Sequence, residues 1–420
     1  MKIYLKKCLP AIVLSFLFSF FALTTLEAKV KIHSIKSPNG DLELQVVTDT
    51  NISFCLLHKD NVLVTSPALS MTLKDGTILG PNAQVRKARK TDSREIIASP
   101  LYRKSQIVDQ YQQLDVNFRG GFGIRFRIYD QGAAYQFYTE LKDSLCVADE
   151  SAGFIFERDH TCYIPYSRGE ENPFQNSFEN VYSVIPVSEF DREKLAFLPL
   201  LVCLENGMKM ALTESDLESY PGMYLRGGKT ANGFEFKGVF APIPSKTVTE
   251  PGRGQVLASE YSDILAKTSG TRSFPWRIMA VATEDTELPV NDLVYILGAP
   301  NRAGNTDWIK PGKVAWDWWN NWGITGVDFP AGINTETYKY YIDFASANGI
   351  EYVVLDEGWS PPAGGDIMKV VPEIDLEELV SYAEEKNVDL ILWCVGYVLD
   401  EKLEEACRVY SKMGFKGFKV

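Results

Sequence analysis

Short runs of alternating apolar and polar residues fill the chain from Lys29 to about Leu288. After the turn sequence Ser37-Pro38-Asn39-Gly40, Asp41 to Val47 puts Leu42, Leu44 and Val46 on one side and Glu43 and Gln45 on the other. That period of two is the mark of a half-buried strand. The same pattern predicts strands over Ile52 to Leu57 and Val62 to Thr65, around the polar turn His58 to Asn61, and over Leu69 to Leu73 before Asp75-Gly76. Phe122 to Tyr129 and Ala134 to Thr139 pair around Asp130-Gln131-Gly132, and Ala196 to Leu204, Met208 to Thr213 and Phe234 to Val239 continue the series. Many short strands with regular turn signals predict one large antiparallel β-sandwich over residues 29–288.

Residues 289–311 read as a connector crossing the surface of a second domain, and beyond it the period changes. Val314 to Trp318 is a short aromatic strand, Thr335 to Asn348 a helix stopped by Gly349, and Tyr352 to Leu355 a strand. Leu376 to Lys386 is a helix, Asp389 to Trp393 a strand, Asp400 to Met413 a helix ended by Gly414, and Phe415 to Val420 opens another strand. Strand and helix alternating with short links is the signature of βαβ units and a parallel sheet. Four such units fill about 110 residues, whereas a closed (β/α)8 barrel of the TIM type needs roughly 200 to 250. Residues 312–420 are therefore expected to be the first half of such a barrel, and the sequence a truncated piece of a longer protein.

The sharpest local signal is Val353-Val354-Leu355-Asp356-Glu357-Gly358-Trp359. An apolar run ending in two carboxylates, a glycine and a tryptophan reads as a buried parallel strand whose carboxyl end carries the acids. In parallel α/β folds that rim is where ligands bind. Carboxylates beside an aromatic plane suit a sugar, as acceptors for hydroxyls and a flat face for the ring. A strand end bearing two solvated acids is the plainer alternative.

Composition narrows the field. The formal net charge of −12 argues against nucleic-acid phosphates and anionic lipid surfaces as partners. With only His33, His58 and His160, a multi-histidine zinc centre is disfavoured. Neither a Walker-type phosphate loop nor a Gly-x-Ser-x-Gly elbow occurs. Met1 to Ala28, with Lys2, Lys6 and Lys7 before the apolar run Leu9 to Leu23, reads as a secretory signal peptide cut before Lys29. That predicts a periplasmic or secreted protein with no membrane attachment after cleavage. Cys55, Cys146, Cys162, Cys203, Cys394 and Cys407 remain, scattered in spacing and readable either as thiols or as an occasional disulfide.

Pro311-Gly312-Lys313-Val314-Ala315-Trp316-Asp317-Trp318-Trp319, together with Leu355-Asp356-Glu357-Gly358-Trp359, resembles glycoside hydrolase family 97. Thr213-Glu214-Ser215-Asp216-Leu217 and Tyr220-Pro221-Gly222-Met223 are similar to that family's amino-terminal sandwich. The resemblance runs from about residue 30 to 420. It implies a calcium-dependent, secreted or periplasmic α-glycosidase built as a sandwich, a (β/α)8 barrel and a small all-β domain. Inverting α-glucosidases of the family carry a base glutamate in a His-His-Glu run after the third barrel strand; this chain has Trp393-Cys394-Val395 there. Retaining members, α-galactosidases among them, carry a nucleophilic aspartate in a Lys-x-Asp pattern at the end of the fourth strand. The chain ends in Lys419-Val420, so that nucleophile and the later acid/base glutamate are expected beyond it, and the 420 residues alone are expected to be inactive.

By the same resemblance Asp356 and Glu357 accept hydrogen bonds from sugar hydroxyls such as O4 and O6. Trp316, Trp359 and Trp393 supply apolar planes, with Trp318 and Trp319 assigned more to core packing, and Lys419 donates to a hydroxyl. Glu179, in Phe178-Glu179-Asn180-Val181-Tyr182, is the candidate calcium ligand, and Glu214 and Asp216 are weaker candidates for the same cleft. The expected function is an exo-acting retaining α-galactosidase acting on oligosaccharides or other α-galactosides. An inverting α-glucosidase and a non-catalytic glycan-binding protein are the alternatives.

Overall fold

The structure is a computed structural model and describes residues 31–99, 101–168, 172–250, 255–362 and 365–420. The signal-peptide reading of residues 1–28 lies outside them. Two large antiparallel sheets form the sandwich, one of seven strands and one of ten, with a four-stranded sheet and a two-stranded ribbon beside them. Strand Leu42–Thr48 buries alternate residues, as its pattern predicts. Leu42, Leu44 and Val46 enter one core with Leu114, Val116, Ile124, Phe126 and Ile128 of the larger sheet. Phe122–Tyr129 and Gly132–Glu140 form the expected hairpin.

The longest hairpin, Val85–Ala98 with Gln106–Phe118, alternates only in its second strand, at Leu114, Val116 and Phe118, because its first strand is largely exposed on both faces. Backbone pairing holds it. Trp276–Ala282 escapes an alternation test for the opposite reason, being buried at every position.

A buried ion cluster ties the sandwich together. Arg277, 1% exposed, donates to both carboxylate oxygens of Glu150 at 2.9 and 2.7 Å and to Glu214 Oε2 at 2.5 Å. Glu214 also accepts the Met223 N–H at 2.9 Å. Glu214 therefore belongs to the interior and not to a cleft. Burial pushes its carboxyl above the usual range, while the Arg277 charge pulls the other way. Asp216 sits in the turn that follows, at φ 67°.

The connector differs from expectation. Leu293, Ile296 and Leu297 pack on the sandwich's outer apolar face with Ile107, Trp276 and Ile278. Asp292, just ahead, is buried and held by Arg103, Lys104 and Tyr102. An apolar turn finds cover there, so the segment starts as part of the sandwich.

Four parallel strands follow in sequence order, Val314–Trp316, Tyr352–Leu355, Asp389–Trp393 and Gly417–Lys419. The first is shorter than predicted, because Asp317–Asn320 turns into a 3-10 helix. The helices Thr335–Ala347 and Leu376–Glu385 lie as expected, each N-capped by an acceptor side chain, Asn334 and Asp375. The last predicted helix is split into Gly396–Glu401 and Leu403–Met413. Among the described residues no disulfide is formed, and Cys162 and Cys394 are buried. No helix among the described residues is long and apolar enough to cross a membrane.

Removing one partner of a desolvated ion cluster strands the other charges. Arg277→Ala leaves Glu150 and Glu214 without their cation and is expected to destabilise the sandwich by about 3–5 kcal/mol. Urea unfolding followed by fluorescence measures this; a loss below about 1 kcal/mol would contradict the assignment.

Candidate functional site

Neighbouring residues of a strand face opposite ways, and the parallel register decides which side chains meet. Trp316 pairs with Val354, Leu355 with Leu392, and Trp393 with Lys419. Ala315, Val353, Leu355, Leu390 and Leu392 form one face and sink into the core beneath the helices. Trp316, Trp393 and Lys419 lie on the other face, and Asp356 follows the second strand directly.

Asp356 is 3% exposed, and its contacts bring three strands together. Its Oδ2 accepts the Trp316 indole N–H at 2.5 Å and also the Lys419 ammonium. Lys419 Nζ stands 4.1 Å from the Trp316 ring centroid, so the cation faces both a carboxylate and a π cloud. Asp356 Oδ1 accepts the Glu357 N–H at 2.8 Å. An ionised carboxylate offers about four acceptor sites, so roughly one remains for a hydroxyl. Charge-assisted bonds of this kind are about twice as strong as neutral ones. Glu357 and Trp393 are half-buried beside this group.

Trp359 does not join them. Gly358, at φ 119°, turns the chain, and a Cβ there would lie 2.3 Å from Ile333 Cδ1. The turn drives Trp359 inward to 0% exposure, where its indole N–H donates to the Trp393 carbonyl at 2.8 Å and its ring meets Tyr410 edge-on. Its role is to brace the third strand's end; a fully covered ring has no face for a sugar. Trp318 and Trp319 reverse the expectation the other way, being 45% and 82% exposed, since the 3-10 turn lifts them off the strand.

Glu179 stands apart. Its side chain is 65% exposed and pairs with Arg168 at 2.6 Å. Among the described residues no group of three or more acidic, histidine or cysteine side chains gathers to hold a metal ion. Calcium favours six to eight oxygens, so a single glutamate bonded to a cation does not by itself fit it.

Asp317 escaped the sequence reading, which ran it into the strand. The usable signal was a lone acid amid tryptophans where a strand should be apolar. It lies on the helix-facing side at 0% exposure. Its Oδ2 accepts the Tyr338 O–H at 2.6 Å and the Asp356 backbone N–H at 3.2 Å. Its Oδ1 is buried with no hydrogen-bond partner among the described residues. Burial pushes the carboxyl up from 3.8 to about 6; the bonds from Tyr338 and the Asp356 N–H, with the nearby Trp318 backbone, lower it and the Asp356 charge raises it.

A β-sandwich running into parallel βα units, with carboxylate, ammonium and indole converging at the strand ends, has the design of the sandwich-plus-barrel glycoside hydrolases. The chain belongs to glycoside hydrolase family 97: the family's N-terminal model matches residues 35–300 and its Glycoside hydrolase 97 model matches residues 318–420. It is 43% identical over 394 residues to a protein of Bacteroides thetaiotaomicron named retaining alpha-galactosidase, a match covering 92% of this chain and 59% of that protein. Among solved structures, a family 97 enzyme in complex with acarbose from Pseudoalteromonas sp. strain K8 matches with a TM-score of 0.74 at 21% identity, over 92% of this chain and 58% of that one. A beta-arabinopyranosidase matches with a TM-score of 0.72 at 22% identity, over 92% and 62%. At such identities the two structures bear on the fold alone. The chain thus spans about three fifths of the length of the retaining alpha-galactosidase it matches.

Asp317 carries a stability signature. Its folded pKa is raised, so the unfolded chain releases the proton first as pH rises. The carboxyl is neutral for the fold below about pH 4, and its ionisation penalty builds between pH 4 and 6. A shift of this size amounts to about 3 kcal/mol. Asp317→Asn, which cannot ionise, is expected to gain about that much relative to the parent between pH 4 and pH 7. Urea melts across that range measure it, and a pH-independent difference would contradict it.

Proposed function

We propose that these residues belong to a retaining exo-α-galactosidase and that residues 312–420 supply the part of its barrel that grips the terminal sugar. The observation that carries this reading is the 43% identity over 394 residues to a protein named retaining alpha-galactosidase. The rim geometry supports it. Asp356 is already engaged by Trp316, Lys419 and the Glu357 N–H, which suits a fixed hydrogen-bond acceptor and not a nucleophile. Its remaining acceptor site, with Glu357, receives the O4 and O6 hydroxyls of galactose. Lys419 offers a further N–H to a hydroxyl, and Trp316 and Trp393 lie against the apolar side of the ring.

The third strand weighs against inversion. A base is needed there, and the position holds Cys394, 2% exposed, whose thiol burial pushes up to about 11. A neutral buried thiol does not activate water. Retention passes instead through a covalent glycosyl-enzyme formed by one carboxylate, with a second carboxyl group about 5 to 5.5 Å away as acid and then base.

Calcium and export complete the proposal. Glu179 would supply one oxygen to a calcium ion if freed from Arg168; alone it makes no site, so the other oxygens would have to come from further ligands. Residues 1–28 direct the chain to the periplasm or outside the cell, and a mature chain starting at Lys29 is the test of that.

Proton NMR of the first-formed sugar, with the intact gene product and an aryl α-galactoside, tests the reaction. The α-anomer of galactose should appear first; initial β-galactose, or turnover of α-glucosides alone, would overturn the reading. Asp356→Ala removes a charged acceptor and is expected to weaken galactose binding about 10- to 100-fold, measured by calorimetry.

A further inference from the structure

The acceptor at the rim does not hold itself in place. Asp356 has three contacts on the sugar-facing side, but its backbone N–H points the other way and is taken by Asp317 Oδ2. Asp317 is anchored by Tyr338 of the helix Thr335–Ala347. The order of contacts is therefore helix hydroxyl, buried carboxylate, rim main chain, rim carboxylate, and finally indole and ammonium. Asp317 contributes no atom to the sugar-facing surface.

Two features set it apart from an ordinary core residue. Burying a carboxylate with one oxygen unbonded opposes folding, and apolar residues of similar size would not carry that cost. Groups kept in place against stability concentrate where function needs them. Its burial is also insensitive to whatever else surrounds the rim, because further chain only adds cover to a residue already at 0% exposure.

Resting on the sugar-binding reading above, we propose that Asp317 is a positioning residue of the site. From beneath the rim its carboxylate fixes the main chain of Asp356 and so aims the Asp356 carboxylate, with Trp316 and Lys419 attached, at the sugar.

The titratable groups around Asp317 are Tyr338 and Tyr341 on the helix and Asp356 on the neighbouring strand end, which in turn meets Lys419. Both tyrosines are raised by burial and stay neutral through the range where Asp317 titrates. Deprotonated Asp317 is the stronger acceptor and draws the Asp356 N–H in; protonated, it loosens that bond. Trp316 reports the result, because its indole N–H is bonded to Asp356 at 2.5 Å.

The experiment follows the Trp316 indole N–H resonance of the 15N-labelled chain from pH 4.5 to 8, assigned with Trp316→Phe, and then the galactose affinity of the intact gene product over the same range. The resonance should titrate with a midpoint near pH 6 in the parent chain. The step should be absent in Asp317→Asn, which keeps an oxygen acceptor and size. It should move to higher pH in Tyr338→Phe, which removes a bond that favours the ionised form. Galactose affinity should fall on the acid side with the same midpoint, and in Asp317→Asn it should lose that step. An indole resonance that is flat in the parent, or titrates alike in Asp317→Asn, overturns the positioning role. An indole that titrates as described, beside an intact gene product indifferent to galactose at every pH, supports the Asp317–Asp356 coupling and sinks the sugar reading instead.

Discussion

The parallel register is the constraint on which the site depends. With the first strand matched to the second at Trp316 and Val354, and the third to the fourth at Trp393 and Lys419, the strand ends bring an indole, a carboxylate and an ammonium to one side. The other side is filled by Leu355, Leu392 and their neighbours beneath the helices. The hydrophobic requirement of the helix-facing side therefore fixes the chemistry of the opposite side. A slip of one residue would bury Asp356 and Lys419 among the helices and expose leucines at the rim. Burial of apolar side chains, not attraction between the polar groups, selects the arrangement, and the polar groups then lock its end.

The two halves of the chain use buried charge differently. In the sandwich, Arg277 faces Glu150 and Glu214 with nearly every oxygen satisfied, and the cluster joins strands of separate sheets. Beneath the rim, Asp317 has two donors on one oxygen and, among the described residues, none on the other. The first arrangement specifies how sheets meet. The second leaves a titratable group in the fold, whose ionisation near pH 6 opposes folding at neutral pH.

Much of this was legible in the residues. Alternation in Asp41 to Val47 and in the Phe122–Tyr129 hairpin announced the sandwich, and the switch to helix-length periods after Pro311 announced the parallel units. The strand-end acid Asp356 stood out because an apolar run stopped at it. The long hairpin was at most half legible: its first strand has no buried side to create alternation, while Leu114, Val116 and Phe118 alternate in its second. Trp359 misled because a tryptophan after two acids looks the same whether the backbone turns it in or out; Gly358 and Ile333 decide that, and the contact between them is tertiary. Asp317 and Tyr338 were invisible as a pair, being 21 residues apart on different elements.

The exposed strand Val85–Ala98 forms one border of the ten-stranded sheet. Such a border has unpaired amide and carbonyl groups along its free side and can template pairing with another molecule. Arg86, Lys87, Arg89, Lys90 and Arg94, against Asp92 and Glu95, give that strand an excess of positive charge. Two copies meeting there would bring together strands of net positive charge and exposed, charged side chains, so the exposure that hid the strand from a search for alternation also makes edge-to-edge pairing less favourable than it would be for an apolar border.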